Sequence, residues 1–189
     1  WDCNNHWGET TKGITKIDEG VKTAMGFFGV DDLTLKNMYI VNGSANFATQ
    51  SADNEKLNIL ITQLIDCGRD GIHLGGDVNN FIIENIYGNT QDDMVALNAW
   101  DWYNYTPRYG NITNGIVRNI VQLTGHARTV RVLGGAIEGT KYTVDNVSIE
   151  NVTAENHLEN IVIGFEAGVN NPGVASKIGR IYLKNIKGQ

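Results

Sequence analysis

Apolar and polar residues alternate in six short segments of the chain, and each segment ends in a side-chain amide. These segments are residues 33–37, 59–63, 81–85, 115–119, 147–151 and 181–185. Alternation with a period of two predicts strands. Because the terminal amides recur at intervals of roughly 22–34 residues, we predict one strand of this kind in every turn of a coiled chain. The first interval, from Asn37 to Gln63, is longer than the second, from Gln63 to Asn85.

A second series of alternating segments lies between the members of the first. Its members are residues 25–30, 71–74, 94–97, 129–132 and 160–163. Two interleaved series are typical of an all-β, single-stranded parallel β-helix, in which every short strand stacks on its counterpart one coil away. We therefore predict one β-helix domain of roughly six coils over residues 1–189, as a fragment that lacks end caps. An antiparallel sandwich is the alternative, but it does not explain why the amide recurs.

The second series also predicts which side chains share a face. With the apolar residues turned towards the core, Ile72, Val95, Val130 and Ile161 form one column. Two residues earlier, an outward column contains Asp70, Asp93, Arg128 and Glu159, and a further outward column contains His73, Ala96, Arg131 and Val162. Asp70 and Asp93 are 93 − 70 = 23 residues apart, one short coil, which predicts neighbouring strands about 4.7–4.9 Å apart. One exposed face is thus expected to gather acids, a histidine and two arginines.

Asp92 and an aromatic insert extend this candidate site. Asp92 directly precedes Asp93, and a turn at residues 91–92 would bring both carboxylates to the surface. The insert at residues 100–109 follows the strand of the acidic pair and supplies Trp100, Trp102 and Tyr103. Aromatic rings beside a polar cleft suit stacking on the faces of sugars. The alternative is a loop that packs its own aromatic rings together.

Charge and composition exclude several classes of protein. The chain of 189 residues is 41% hydrophobic and has a net charge of −6, which opposes a nucleic-acid partner. It has no apolar run of the ~20 residues that a membrane span needs, so we expect no membrane partner. Cys3 and Cys67 have no metal-ligand spacing, and the sequence predicts neither a metal site nor a cofactor. It leaves the oligomeric state open.

Three motifs in consecutive coils resemble one family. Gly68-Arg-Asp-Gly-Ile, Asp92-Asp-Met-Val-Ala-Leu and Gly125-His126 are similar to motifs of the polygalacturonase-type glycoside hydrolases (family 28) of the pectin-lyase-like superfamily. The resemblance implies a right-handed β-helix, and an extracellular or periplasmic enzyme that hydrolyses a polysaccharide or oligosaccharide with inversion. It assigns catalytic roles to Asp70, Asp92, Asp93 and His126, with Asp92 or Asp93 as general acid.

The substrate-binding residues differ from those of that family. The stretch Glu159-Asn-Ile-Val-Ile-Gly stands where the family has an Arg-Ile-Lys motif that holds a uronate carboxylate. Arg128 and Arg131 are expected to grip a carboxylate or sulfate from another position. The remaining candidates for substrate binding are His73, Trp100, Trp102, Tyr103 and Glu159.

Two other classes of function remain open beside the hydrolase. One is a polysaccharide lyase or epimerase on the same scaffold, with Arg128 or His126 as base and acidic residues for Ca²⁺. The other is a non-catalytic carbohydrate-binding β-helix, such as an adhesin or a tailspike-like protein, in which the acids carry no chemistry.

Overall fold

A computed structural model gives the fold of the chain. It describes residues 27, 30–41, 57–67, 70–100, 110–125, 128–137, 140–155, 159–164 and 177–188. In these residues every regular element is a strand, and none of them forms a helix. The prediction of an all-β protein is confirmed for this part of the chain.

Most of the strands form two parallel sheets that the chain visits in turn. The larger sheet contains β1 (Leu33–Val41), β2 (Leu57–Cys67), β4 (Val78–Thr90), β6 (Ile112–Gly125), β10 (Val144–Ala154) and β12 (Ile181–Lys187). The smaller sheet contains β3 (Ile72–Gly75), β5 (Val95–Asn98), β7 (Arg128–Leu133) and β11 (Glu159–Gly164). In both sheets the strands lie in chain order and pair in parallel with their nearest predecessor and successor. From β2 onward, each pass of the chain therefore adds one strand to each sheet.

A short antiparallel hairpin interrupts this alternation. It consists of β8 (Gly135–Ile137) and β9 (Thr140–Tyr142), and it lies between β7 of the smaller sheet and β10 of the larger one. No function was predicted for this insert from its residues.

The core lies between the two sheets, and the smaller sheet has the predicted register. Ile72 pairs with Val95, Val95 with Val130, and Val130 with Ile161. Ile72, Val95 and Val130 are fully buried, in one cluster with side chains of the larger sheet such as Ile83. Because a slip of one residue would turn every apolar side chain away from this core, the alternation is enough to fix the register.

The larger sheet departs from the predicted register at β2. Leu57 pairs with both Leu33 and Phe81, so the residue offset from β1 to β2 equals the offset from β2 to β4. The amide pattern had predicted a longer offset followed by a shorter one. Gln63 therefore lies opposite Tyr39 and falls outside the column of amides. The amide gave the wrong alignment because core packing determines the pairing, which places Ile40 opposite Leu64, both fully buried. The later predicted offsets agree with the structure.

Asparagines with left-handed backbone geometry bend the strands of the larger sheet at a repeated position. Asn85, Asn119, Asn151 and Asn185 have φ between 53° and 60°, a region that asparagine tolerates better than most residues. Each amide nitrogen of the last three donates to the amide oxygen one strand back, at 2.9, 2.9 and 3.0 Å. From Asn85 onward, the recurring amide of the sequence is thus a hydrogen-bonded ladder along the sheet.

We expect Asn119→Ala to lower the free energy of unfolding by about 1–3 kcal/mol. The change removes a side chain that both donates to Asn85 and accepts from Asn151, and it places a Cβ-bearing residue without local hydrogen bonds at φ 58°. Urea denaturation measures the difference. Asn119→Gly keeps the backbone geometry and loses only the amide, so it is expected to fall between wild type and Asn119→Ala. Equal stability of all three proteins would show that the ladder contributes nothing.

Candidate active site

The acids predicted to be neighbours do lie side by side. Gly71 N donates to the carbonyl oxygen of Asp93 at 2.8 Å, and Asp93 N donates to Asp70 Oδ1 at 3.1 Å. Asp92 accepts a hydrogen bond from the same Asp93 N at 3.1 Å. One oxygen from each of the three carboxylates lies within 4.8 Å of the others. The turn before β5 therefore brings Asp92 into the cluster with Asp70 and Asp93, as the sequence predicted.

Two glycines allow the backbone to approach this closely. A Cβ at Gly71 would lie 2.6 Å from the carbonyl oxygen of Met94, so only glycine fits next to Asp70 at this spacing. Gly88 has φ 149°, and a Cβ there would lie 1.6 Å from the carbonyl oxygen of Leu64. The register of β4 shifts between Gly88 and Thr90, directly before the acidic turn. Such irregularities redirect side chains at the end of a strand.

A buried polar network behind the acids was missed by the sequence analysis. Thr90 Oγ1 donates to the carbonyl oxygen of Asp92 at 2.6 Å and accepts from Gln122 Nε2 at 3.3 Å. Thr129 Oγ1 donates to Gln122 Oε1 at 2.8 Å. All three side chains are almost fully buried. Alternation alone cannot separate such polar residues from surface ones, so the sequence carried no signal for this network.

His73, in β3, orients Asp70, which lies two residues before that strand begins. Its Nδ1 lies 2.6 Å from Asp70 Oδ2, and both side chains are at least nine-tenths buried. A ring nitrogen that donates to a carboxylate fixes the direction of that carboxylate. Asp70 thus has one oxygen directed at His73 and the other at the backbone of Asp93.

The pKa of Asp93 is shifted far above its usual value. Its pKa is raised from 3.8 to about 7, first by burial and then by the negative charges of Asp70 and Asp92. The positive charges of Arg128 and Arg131 oppose this shift in pKa but do not cancel it. Asp93 is therefore a carboxylic acid that can hold a proton near neutral pH, as a general acid must.

Arg128 connects the acids to the solvent side of the site. Its Nη1 lies 3.5 Å from Asp93 Oδ1, and its Nε donates to Glu159 Oε2 at 3.2 Å. The side chain of Arg128 is 28% exposed and that of Glu159 is 58% exposed. The predicted cross-strand contact between Arg128 and Glu159 is confirmed by their pairing between β7 and β11.

The centre of this face is buried, although the sequence predicted an exposed face. Asp70, His73, Asp93 and Arg131 are only 5–7% exposed. Alternation assigns side chains to one face of a sheet or the other, but it does not say whether the outer face meets solvent. Parallel sheets are commonly covered on both faces. Asp92 and Arg128 are only partly buried, so the solvent-facing side of the acid cluster belongs to them.

The aromatic prediction is wrong for Trp100. Its side chain is 1% exposed and packs against the backbone of Gly135, where an added Cβ would lie 2.3 Å from the Cβ of Trp100. Its ring lies in the interior and does not offer a face to a sugar. Trp102, Tyr103 and His126 lie outside the described residues.

The three carboxylates also have the spacing of ligands around one divalent cation. Oxygens within 4.8 Å of one another can contact a single ion, and hard cations such as Ca²⁺ prefer oxygen ligands. Carboxylates held this close must either share a proton or bind a positive charge. The same geometry therefore suits acid catalysis or a bound cation.

Comparisons with known proteins add no assignment. No protein-family model, curated protein or solved structure matches the chain. The residues described by the structure contain no helix with the length and hydropathy of a membrane span.

Proposed function

We propose that the chain is a right-handed parallel β-helix and acts as a glycoside hydrolase on a polysaccharide or oligosaccharide. The fold proposal is supported by two parallel sheets in chain order and by strands that alternate between them. The functional proposal depends on one observation, the acid Asp93 with a pKa of about 7 beside two further carboxylates. The resemblance to the polygalacturonase-type enzymes agrees with both proposals and favours an extracellular or periplasmic location.

In the proposed reaction Asp93 is the general acid. It donates its proton to the glycosidic oxygen as the bond from that oxygen to the anomeric carbon breaks. Asp92 is partly exposed and Asp70 is oriented by His73, so either can act on the attacking water. As a base, one of them accepts a proton from the water that attacks the anomeric carbon. Arg128 stabilises the carboxylate that Asp93 becomes after it has given up its proton.

The spacing of the acids bears on the stereochemistry of this reaction. Inverting pairs are separated by about 6.5–9.5 Å and retaining pairs by about 5–5.5 Å. The nearest oxygens of the three acids, within 4.8 Å, are closer to the retaining distance. A retaining enzyme would use one of the two other carboxylates as nucleophile and form a glycosyl ester. Inversion, which the resemblance implies, needs room for a water between the two carboxyl groups that act.

A polysaccharide lyase is the second candidate, because the same three oxygens could hold Ca²⁺. A bound cation would neutralise a uronate carboxylate and acidify the hydrogen on the adjacent carbon. Arg128, at the solvent side of the acids, would first have to lose its own proton and would then accept the proton from that carbon. The bond from the next carbon to the glycosidic oxygen would break, and this oxygen would take a proton from water. The products of a lyase carry a carbon–carbon double bond that hydrolysis never forms.

A panel of neutral and acidic polysaccharides tests these proposals by product analysis. We expect new reducing ends without the ultraviolet absorbance of an unsaturated uronate, and no loss of activity in a chelator. Absorbance that disappears with the chelator and returns with Ca²⁺ would assign a lyase. Binding without any product would leave a carbohydrate-binding protein. The anomeric configuration of the first product, measured by NMR, distinguishes retention from inversion.

A further inference from the structure

A basic cleft lies at the edge of the larger sheet, away from the acids. It has a volume of about 700 Å³ and is lined by Lys141, Thr143, Asp145 and residues 177–180. These residues lie at the amino-terminal ends of β10 and β12, whereas the acids follow the carboxyl-terminal ends of β2 and β4. The cleft and the candidate active site therefore occupy opposite ends of the strands.

The cleft has an excess of positive charge in an acidic protein. Lys141, Lys177 and Arg180 contribute three cationic side chains against the one carboxylate of Asp145, while the whole chain carries −6. Both lysines are exposed, and neither ammonium group forms an ion pair with any described residue. Positive groups that converge on a concave surface attract anions more strongly than scattered ones.

The carboxylate of Asp145 is already hydrogen-bonded within the protein, to Arg180. Its Oδ1 accepts from Arg180 N at 2.7 Å and from Arg180 Nε at 3.4 Å. These hydrogen bonds lower the pKa of Asp145 and hold the arginine at the cleft wall. A Cβ at Gly179 would lie 2.3 Å from Asp145 Oδ1, so this position requires glycine. The wall is thus built around one acid, and the two lysines remain available to a ligand.

No function was predicted from the sequence for the insert that brings Lys141 to the cleft. Its hairpin, β8 and β9, places Lys141 opposite Ala136 and next to the strand that leads into β10. Thr143, which follows the hairpin, donates its hydroxyl to the carbonyl oxygen of Lys177. This bond ties the hairpin to the segment before β12. Both lysines are therefore held at one cleft by segments that are far apart in sequence.

We propose that this cleft binds the carboxylate or sulfate groups of an acidic glycan, at a second site distinct from the acids. A cleft of about 700 Å³ lies within the range of small-ligand sites and has room for sugar residues as well as for their charged groups. Ile178 adds an apolar surface of the kind that packs against the C–H face of a sugar. The choice of a glycan among anions rests on the proposed function, whereas the site itself does not.

Calorimetric titration with an oligogalacturonate tests the site, in an Asp93→Asn background so that no ligand is consumed. In this background we expect Lys141→Ala/Lys177→Ala to weaken binding about fivefold or more, and added salt to weaken binding by the parent Asp93→Asn protein. The matched control, Lys36→Ala/Lys187→Ala, removes two exposed lysines outside the cleft and is expected to bind like the parent protein, which has the wild-type cleft. Circular dichroism confirms that each variant is folded.

Several results would overturn the proposal. These are unchanged binding by the cleft variant, an equal loss in the control, equal binding of a neutral dextran oligosaccharide, or no binding by wild type. A DNA oligonucleotide that binds more tightly than the oligogalacturonate would refute the assignment to a glycan. Because binding is measured without turnover, a cleft that binds while no polysaccharide is cleaved would refute the hydrolase and leave the cleft. Cleavage of a polysaccharide without binding at the cleft would refute the cleft proposal and leave the hydrolase.

Discussion

Replacing Asp93 with asparagine is expected to lower the turnover of the susceptible polysaccharide by about 10²–10⁴-fold, the usual contribution of general acid catalysis. Asparagine has nearly the same shape as aspartic acid but has no proton to give to the glycosidic oxygen. Asp70 does not replace it, because its two oxygens are bound to His73 and to the backbone of Asp93. The rate of reducing-end release at saturating substrate measures this effect.

Asp31→Asn is the matched control, because it makes the same chemical change at an exposed position outside the acid cluster. It is expected to leave turnover unchanged. The Asp93→Asn variant is expected to keep its affinity for substrate and its circular dichroism spectrum, so that the loss falls on the chemical step. Turnover within threefold of wild type would remove Asp93 from the acid role.

The same substitution is expected to make the fold more stable in mildly alkaline solution. Asp93 has a pKa of about 7 in the folded protein, whereas the usual value of 3.8 applies to the unfolded chain. Between these values the folded chain holds a proton that the unfolded chain has released, so stability falls as pH rises from about 4 to 7. The full difference corresponds to a cost on the order of 4 kcal/mol at pH 8. Asparagine carries no charge to bury and avoids this cost.

Urea denaturation of wild type, Asp93→Asn and Asp31→Asn at about pH 5 and pH 8 measures this linkage. We expect the gain in stability from Asp93→Asn to be about two to three times larger at the higher pH. The Asp31→Asn variant is expected to follow the wild type at both. A gain that does not change with pH would mean that Asp93 is ionised in the folded protein at both values.

The placement of the acids could be predicted because it depends only on alternation and on the spacing of the parallel strands along the chain. Ile72 and Val95 must both face the core, and the acids two residues before them are then brought together. The same reasoning placed Arg128 opposite Glu159. Local patterns were sufficient here because parallel strands without bulges keep a constant offset along their whole length.

The misjudged features depend on contacts that the sequence does not encode locally. The register at Gln63 follows the side chains that pack in the core rather than the amide that ends the segment. The burial of Trp100 depends on Gly135, a glycine on the far side of the aromatic insert and of two further strands.

Stacking in chain order also shapes how the molecule comes apart. Among the described strands of the larger sheet, each pairs only with its nearest neighbours in chain order, and β12 pairs with β10. Energy in such an array is shared between nearest neighbours, and the last layer can peel away without breaking those beneath it. The strands that lead into the acids, β2 and β4, lie three to four layers further in. Loss of the layer that contains β12 is therefore expected to spare the carboxylates.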